Sequence, residues 1–407
     1  MDRSKFFNVY SMQFAIASVL GAVIACSPTK FSPENSPTSV CDSTTTTCVV
    51  INGETNITQS FKVGSGKVDI LFVNDNSASM SVIQTKLAAK FGGFVENLDS
   101  KEIDYQISMT TTDLLAAQKN PLITFGNGSK ILTKGDSGRV GLFNAAIARP
   151  ETIACENFIK SAYYTYGSGF NQTSYYAQNY NNYCASNDER GLYTAHDAIL
   201  NNTSRILRSD AHLNVILVSN EDVRSGLYNN STYGSQYALE AKDRASNFTS
   251  MMNSTYPGKY WEFNSIITKD NACASQQQMD FKDNAGNPIK DSNNNFVIGA
   301  NLGLEYAALS ASASTDVDGN PSPRGQILSI CNSDYTQYFN NIAAKISQSA
   351  RLMPLKCTPQ VAPVVVRTNN SSQTVPYQWQ GDKILFQAGS EGIPVTVTYK
   401  CRVVTAY

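Results

Sequence analysis

The chain has 407 residues, 42% of them hydrophobic and 16% charged, so it is long enough to bury one large core or two. A formal net charge of −1 and a pI near 6.2 exclude a general electrostatic pull toward nucleic acid or an anionic membrane surface. Partners are therefore expected to be recognised by local features, and nucleic acid is not expected among them.

In chain order, the first element is "MDRSKFFNVYSMQFAIASVLGAVIAC", in which Arg3 and Lys5 precede an apolar run. The run is shorter than the roughly 20 residues of a spanning helix and has the layout of a secretory signal. Its end, Val23-Ile24-Ala25-Cys26, resembles the bacterial lipobox. The resemblance implies that residues 1–26 are a lipoprotein signal peptide and that Cys26 is the lipid-bearing first residue after cleavage. With Ser27 rather than Asp after the cysteine, it also implies a lipid anchor in the outer membrane, facing the cell surface or the periplasm. Residues 27–61 are rich in Ser, Thr, Pro and Asn without an amphipathic period, and are expected to be a flexible tether.

Of nine cysteines, setting Cys26 apart leaves eight, an even number that in an exported chain points to disulfides. Pairing neighbours in sequence gives Cys41–Cys48, Cys155–Cys184, Cys273–Cys331 and Cys357–Cys401 as the simplest of the 105 connectivities. Zinc-binding thiolates are the alternative, but no CxxC spacing occurs and His196 and His212 are the only histidines.

From residue 62 the pattern alternates between strand and helix. "KVDILFV" (67–73) is the near-continuous apolar run of a strand covered on both faces. In 81–98, Ile83, Leu87, Phe91, Phe94 and Leu98 recur at spacings of three and four and predict an amphipathic helix. A second strand is expected at 104–113 and a hairpin around Asn127-Gly128 within 123–133. A helix over 190–208, a strand over 212–219, a helix over 236–253 and a strand over 261–268 follow. A strand at 325–330 and a helix at 335–350 close the series. The fold class is thus α/β, a doubly wound, mostly parallel sheet over 62–350 with insertions, followed by a small β-rich module over 351–407.

The candidate site is the stretch "VDILFVNDNSASM" (68–80), where a buried strand runs into Asp75, Ser77 and Ser79. Open α/β sheets bind ligands beyond the carboxyl ends of their strands. One carboxylate and two hydroxyls in a turn entering a helix present hard oxygens, which suit Mg²⁺, or Mn²⁺ or Ca²⁺, rather than zinc. The bland reading of the same residues is a serine-rich turn that caps a helix.

Strand, Asp-x-Ser-x-Ser and helix together resemble the metal-ion-dependent adhesion site of von Willebrand factor A domains. The resemblance spans roughly residues 62–350 and has this one sharp motif. It implies a threonine and an aspartate from two further loops. Here Asn220 stands where the aspartate is expected, with Glu221 or Asp222 as a substitute, and Glu189 is preferred for the threonine's place, with Thr194 in reserve. Asp113, with Thr112, is a further reserve at the end of the second strand. An Asn oxygen keeps a contact point but loses a charge. The resemblance implies a bound Mg²⁺ with one coordination position open for an acidic group of a protein or glycan partner.

Between Cys155 and Cys184 the segment 163–184 holds Tyr163, Tyr164, Tyr166, Tyr175, Tyr176, Tyr180 and Tyr183 amid Asn, Gln, Ser and Gly. That composition supplies stiff amphipathic contact area, as in antibody loops, and predicts a ligand-binding surface overhanging the metal face. A low-complexity insertion is the bland alternative. Asp316–Asn320 opens like an EF-hand loop but has Ile327 where the closing glutamate belongs, so it reads as a turn, and 283–295 reads as a pair of polar turns.

No G-x-S-x-G, H-E-x-x-H or phosphate-binding glycine loop is present. A dehalogenase-type phosphatase would need an acid where Ser77 stands. The expected function is non-enzymatic: a divalent-metal-dependent adhesion or ligand-binding lipoprotein of the outer membrane. The alternative is a metal-independent, periplasm-facing scaffold for envelope assembly.

Overall fold

The computed structural model describes residues 46–51, 54–186, 188–201, 206–232 and 234–402. The leader 1–26 with Cys26, the tether up to residue 45 and Cys41, the expected partner of Cys48, lie outside the described residues.

The chain enters as a hairpin of β1 (Thr46–Ile51) and β2 (Glu54–Lys62). This corrects the tether boundary: Thr, Val and Ile favour the pleated conformation, and Ile57 within β2 is fully buried. A short link leads to β3 (Lys67–Asn74), then helix α1 (Ser81–Ser100), β4 (Asp104–Thr111) and α2 (Leu114–Lys119). The segment predicted as a hairpin holds a tight turn, with Gly128 N–H donating to Phe125 O and Gly128 at φ +81°. Only β5 (Leu132–Thr133) extends from it, and it pairs with β4 instead of folding back on 123–126.

Helices α3 (Arg139–Ile147), α4 (Pro150–Tyr166), α5 (Ser174–Tyr183) and α6 (Gly191–Asn201) precede β6 (His212–Ser219). Then come α7 (Ala245–Thr255), β7 (Trp261–Ile267), α8 (Asn271–Asp280) and α9 (Leu304–Ala311). The predicted helices 190–208 and 236–253 are thus shorter. The start of the latter is irregular or 3₁₀, as over Ala241–Asp243, and residues 206–208 at the end of the former are not helical. A small hairpin, β8 (Ala313–Thr315) with β9 (Pro321–Pro323), precedes β10 (Ile327–Ser329) and α10 (Thr336–Ser349).

The central sheet has the order β10-β7-β6-β3-β4-β5, parallel throughout except for the antiparallel edge β5. It is a mixed sheet in a mixed α/β architecture. Alternate residues of β3 supply two cores. Val68, Ile70 and Phe72 pack with α1, α3 and α10, while Leu71 and Val73 pack with α6, α7 and α9. On α1 the expected stripe is the buried one, Ile83, Leu87, Phe91, Phe94 and Leu98, each large side chain contributing about 1.5–3 kcal/mol by burial. Among the described residues no helix is long and apolar enough to cross a membrane.

The C-terminal strands are β11 (Leu352–Pro354), β12 (Val364–Arg367), β13 (Asn370–Thr374), β14 (Tyr377–Gln380), β15 (Lys383–Phe386) and β16 (Pro394–Arg402). They do not form a module alone. The five-stranded sheet has the order β1-β2-β16-β12-β13, with β2 and β16 paired over nine residues, so the entering hairpin completes it. Disulfides join Cys155–Cys184, Cys273–Cys331 and Cys357–Cys401, as the sequence order predicts.

Candidate functional site

The chain leaves β3 toward β4 on one side of the sheet and later returns to β6 on the other. The carboxyl ends of β3, β4 and β6 therefore frame a crevice of the kind that binds ligands in open α/β sheets. Asp75 stands at its centre, with its backbone N–H donating to Val218 O (3.0 Å) as if the ladder ran one residue further.

The Asp75 carboxylate is fully buried and both of its oxygens are held. Oδ1 accepts from Ser77 N (2.8 Å) and Oδ2 from Ser219 Oγ (2.8 Å). The Ser77 and Ser79 hydroxyls share a hydrogen bond of 2.9 Å, and Ser79 Oγ donates to Asn220 Oδ1 at 3.1 Å. Thus Asp75, Ser77, Ser79 and Asn220 come together from two loops. Gln84 on α1 fixes the loop backbone by donating from Nε2 to Asp75 O (2.9 Å), and Thr152 on α4 does so by donating to Asn76 O (2.9 Å).

Glu189 completes the cluster. Its backbone is locked between strand ends: it bridges to Asp113, and the next residue, Arg190, donates its N–H to Thr112 O at 2.7 Å. The Arg190 side chain is clamped bidentately on Asp243 (2.9 and 2.6 Å). The Glu189 carboxyl is buried against those of Asp75 and Glu221 and the Ser77 hydroxyl, and its Oε2 has no hydrogen-bond partner. Burial first, then the charges of Asp75 and Glu221, raise its pKa well above the usual carboxylate range. Glu221 is likewise pushed up, to about 7, by burial and by Asp75, against a lowering bond from Ser225. Its Oε1 lies 1.9 Å from where a Cβ on residue 299 would stand, so a side chain at Gly299 would displace the Glu221 carboxyl.

The reserve residues are placed elsewhere. Asp113 spends its carboxylate capping α2, accepting from Leu115 N (3.0 Å) and Ala116 N (3.3 Å), and also accepts from Ser186 Oγ (2.6 Å). Thr194 is buried inside α6, where its hydroxyl donates to Gly191 O (3.2 Å). Asp222 turns away to accept from Tyr228 OH (2.6 Å) and from Glu305 N (3.1 Å) at the start of α9. Thr112 contributes its main-chain oxygen to Arg190, and its buried hydroxyl has no partner.

A cavity of about 520 Å³ opens over the cluster, with Ser77, Ser79, Glu189 and Glu221 on its floor and Tyr176 and Tyr180 of α5 on its wall. The tyrosine-rich segment is helical, not an extended loop. Tyr176 packs on Phe158 and Phe170, and Tyr163 on Phe170, while Tyr175 and Tyr183 lie against Phe158 with their outer faces exposed. Tyr164 and Tyr166 are exposed but do not line the cavity. Of the seven tyrosines predicted as ligand contacts, two are therefore in position. The missed residues, Gln84, Thr152, Ser219 and Gly299, carry no local motif, because each acts through a contact distant in sequence.

The donors are all hard oxygens: carboxylates of Asp75 and Glu189, hydroxyls of Ser77 and Ser79, and the amide oxygen of Asn220. With a buried, unpartnered carboxylate oxygen among them, the set fits Mg²⁺, Mn²⁺ or Ca²⁺. Among the described residues no cage of three or more His, Cys, Asp or Glu side chains is arranged around a metal position, so the fit rests on this mixed set.

No family model matches the chain, and no curated protein matches it. Two structures of the pilus adhesin SpaC from Lactobacillus rhamnosus GG match it at 11% and 12% identity, with TM-scores of 0.30 and 0.33. They cover 88% and 89% of this chain. The human COPII-coat protein Sec24c matches at 10% identity over 85% of the chain, with a TM-score of 0.22. The chain spans 42–43% of the length of these proteins. Similarity at this level carries no argument about the function of the chain.

Proposed function

We propose that the chain is a non-enzymatic, ligand-binding protein whose crevice holds a hard divalent cation, Mg²⁺ before Mn²⁺ or Ca²⁺, in the manner of a von Willebrand factor A domain. Helices on both faces of a largely parallel sheet, with the site at the turn after β3, support that reading. In it, Asp75, Ser77, Ser79, Glu189 and Asn220 hold the ion. The ion supplies a concentrated positive charge that attracts an acidic group of a protein or glycan partner. The same reading makes the protein an adhesion lipoprotein of the outer membrane, anchored through Cys26, and protease treatment of intact cells distinguishes a surface-facing from a periplasmic position.

The observation that carries it is the buried Glu189 Oε2, unpartnered beside the Asp75 carboxylate. Ionising both carboxyls of this buried pair needs a counter-charge, and among the described residues no Lys or Arg bonds to either group. The test is thermal unfolding of the EDTA-stripped chain and of Glu189→Gln, each with and without Mg²⁺ or Mn²⁺. At a hundredfold excess over Kd, linkage stabilises the unaltered chain by about 2.7 kcal/mol. Glu189→Gln should lose that response yet melt at a higher temperature than the unaltered chain in EDTA, because the carboxyl repulsion is gone. Equal responses would sink the cation reading and leave the metal-independent scaffold, in which the hydrogen-bonded Ser77, Ser79 and Asn220 are a self-sufficient loop.

A further inference from the structure

A second, larger cavity of about 720 Å³ lies beside the first, between α2, the start of α4 and the end of α5. Both volumes fall within the roughly 300–1,000 Å³ typical of sites for small ligands rather than flat protein faces. The two cavities meet at Asn181, which lines both. Positions 176, 177, 180 and 181 share one face of α5, and Cys184 just past its end lines the second cavity, so the helix runs along the first and its C-terminal end reaches the second. The floors are joined as well: Asn76, next to Asp75, donates to Glu151 Oε1 (3.1 Å), and Glu151 lines the second cavity.

We propose that the two cavities form one trough for an acidic oligosaccharide, with one sugar carboxylate at the Asp75–Glu189 cation and a second acidic sugar beyond Asn181, against Lys119 and Arg149. The inference rests on the cation reading above and names the ligand of that same site. Its far end carries two cations, Lys119 and Arg149, beside the carboxylates of Asp113 and Glu151, which are held by Ser186, the start of α2, Asn76 and Arg149. Lys119 has no ion pair among the described residues, and Arg149 engages Glu151 through Nε (2.8 Å) and Ala146 O through Nη1 (3.3 Å), leaving Nη2 for a ligand.

Between the two ends the lining offers the side chains of Thr111, Asn120 and Thr124 to sugar hydroxyls, while Ser186 is bonded to the Asp113 carboxylate. Tyr176 and Tyr180 offer ring faces at the cation end. An acidic peptide is the competing occupant. The open, mixed lining, with hydroxyl and amide groups among apolar side chains such as Leu115, Leu122 and Ile159, suits the polar edges and apolar faces of pyranose rings, whereas a peptide backbone needs a strand edge to pair with.

The test is calorimetric titration of the full chain in Mn²⁺ with galacturonate, its linear trimer, a hyaluronan tetrasaccharide and the peptide Glu-Glu-Glu, after Mn²⁺ binding alone has been measured. At least one of the two oligosaccharides should bind at least about tenfold tighter than the monosaccharide, the gain of joining two subsites. Asn181 is exposed, so Asn181→Trp should block the junction without disturbing the fold, abolishing that gain while leaving Mn²⁺ affinity unchanged. Lys119→Ala should reduce the gain. Normal Mn²⁺ binding with no gain from either oligosaccharide, a gain that survives Asn181→Trp, or a peptide that binds tighter than both oligosaccharides would each overturn the trough. Absence of Mn²⁺ binding would overturn the cation reading first.

Discussion

Glu221 is held against a glycine on one side and two other carboxyl groups on the other, and its titration follows from that setting. Its pKa rises from 4.5 to about 7 by burial, so the cation-free folded state keeps a proton that the unfolded chain has released. The stability this provides is complete below pH 4.5 and is lost as pH climbs through 7. Glu189, raised for the same reasons, acts with the same sign. His212 acts oppositely: burial lowers its pKa from 6.5 to about 4, so stability falls as pH drops between those values. A bound cation should cancel the first effect and leave the second untouched. Urea unfolding at pH 5 and pH 7.5 should therefore show a larger gain from Mg²⁺ at the higher pH, and Glu221→Gln should shrink that difference. At this scale Asp75, Ser77, Ser79 and Asn220 were legible, because an apolar strand ending in small oxygen-bearing residues is a local pattern. Gln84 and Ser219 were not, since nothing near them in sequence says which loop they will fasten.

Among the elements, α1 and α10 were readable from their apolar spacing, whereas α5, "SYYAQNYNNY", has no apolar stripe to read. It exists because Tyr176 and Tyr183 stack on Phe158, Thr173 caps its first turn by accepting from Tyr176 N (3.1 Å), and the Cys155–Cys184 bond ties its end to α4. Reducing that disulfide, or making Cys184→Ser with Cys155→Ser, should speed hydrogen exchange over 174–183 while β3, β6 and β7 stay protected. Uniform loss of protection would instead mean that α5 is integral to the core. The turns were the easiest elements to read. Asp283, Asp291 and Asp316 each accept two main-chain N–H groups through Oδ1, from the second and fourth residues onward, which is the reason Asp leads such turns. The Asn127-Gly128 turn formed on the same logic, but a turn does not oblige its flanks to pair.

For the molecule as a whole, the boundary at residue 62 was misplaced because a Thr- and Asn-rich segment reads as linker when its partner strand lies more than 300 positions away. A chain starting at residue 62 would keep only Lys62 of β2 and lose eight of its nine pairs with β16, exposing Val395 and Val397 of that sheet's core. It should melt well below a chain starting at Ser43, or aggregate through the bared strand. Differential scanning calorimetry of the two lengths decides the matter, and equal melting temperatures would restore the entering segment to the status of a linker. The α/β alternation was legible because each strand there is a short apolar run set off from the helices that follow it, even though β3 meets its second neighbour, β6, only about 140 residues later.

Only Val63–Gly66 separate the end of β2 from the start of β3, and β3 ends at Asn74, next to Asp75. Tension between the entering end of the chain and anything gripped at the crevice would run down one uninterrupted length of backbone. Because β2 lies lengthwise along β16, such a pull would load all their ladder bonds at once in shear instead of unzipping them singly. A protein laid out this way would carry mechanical load between its two ends while the helices around the sheet stay slack.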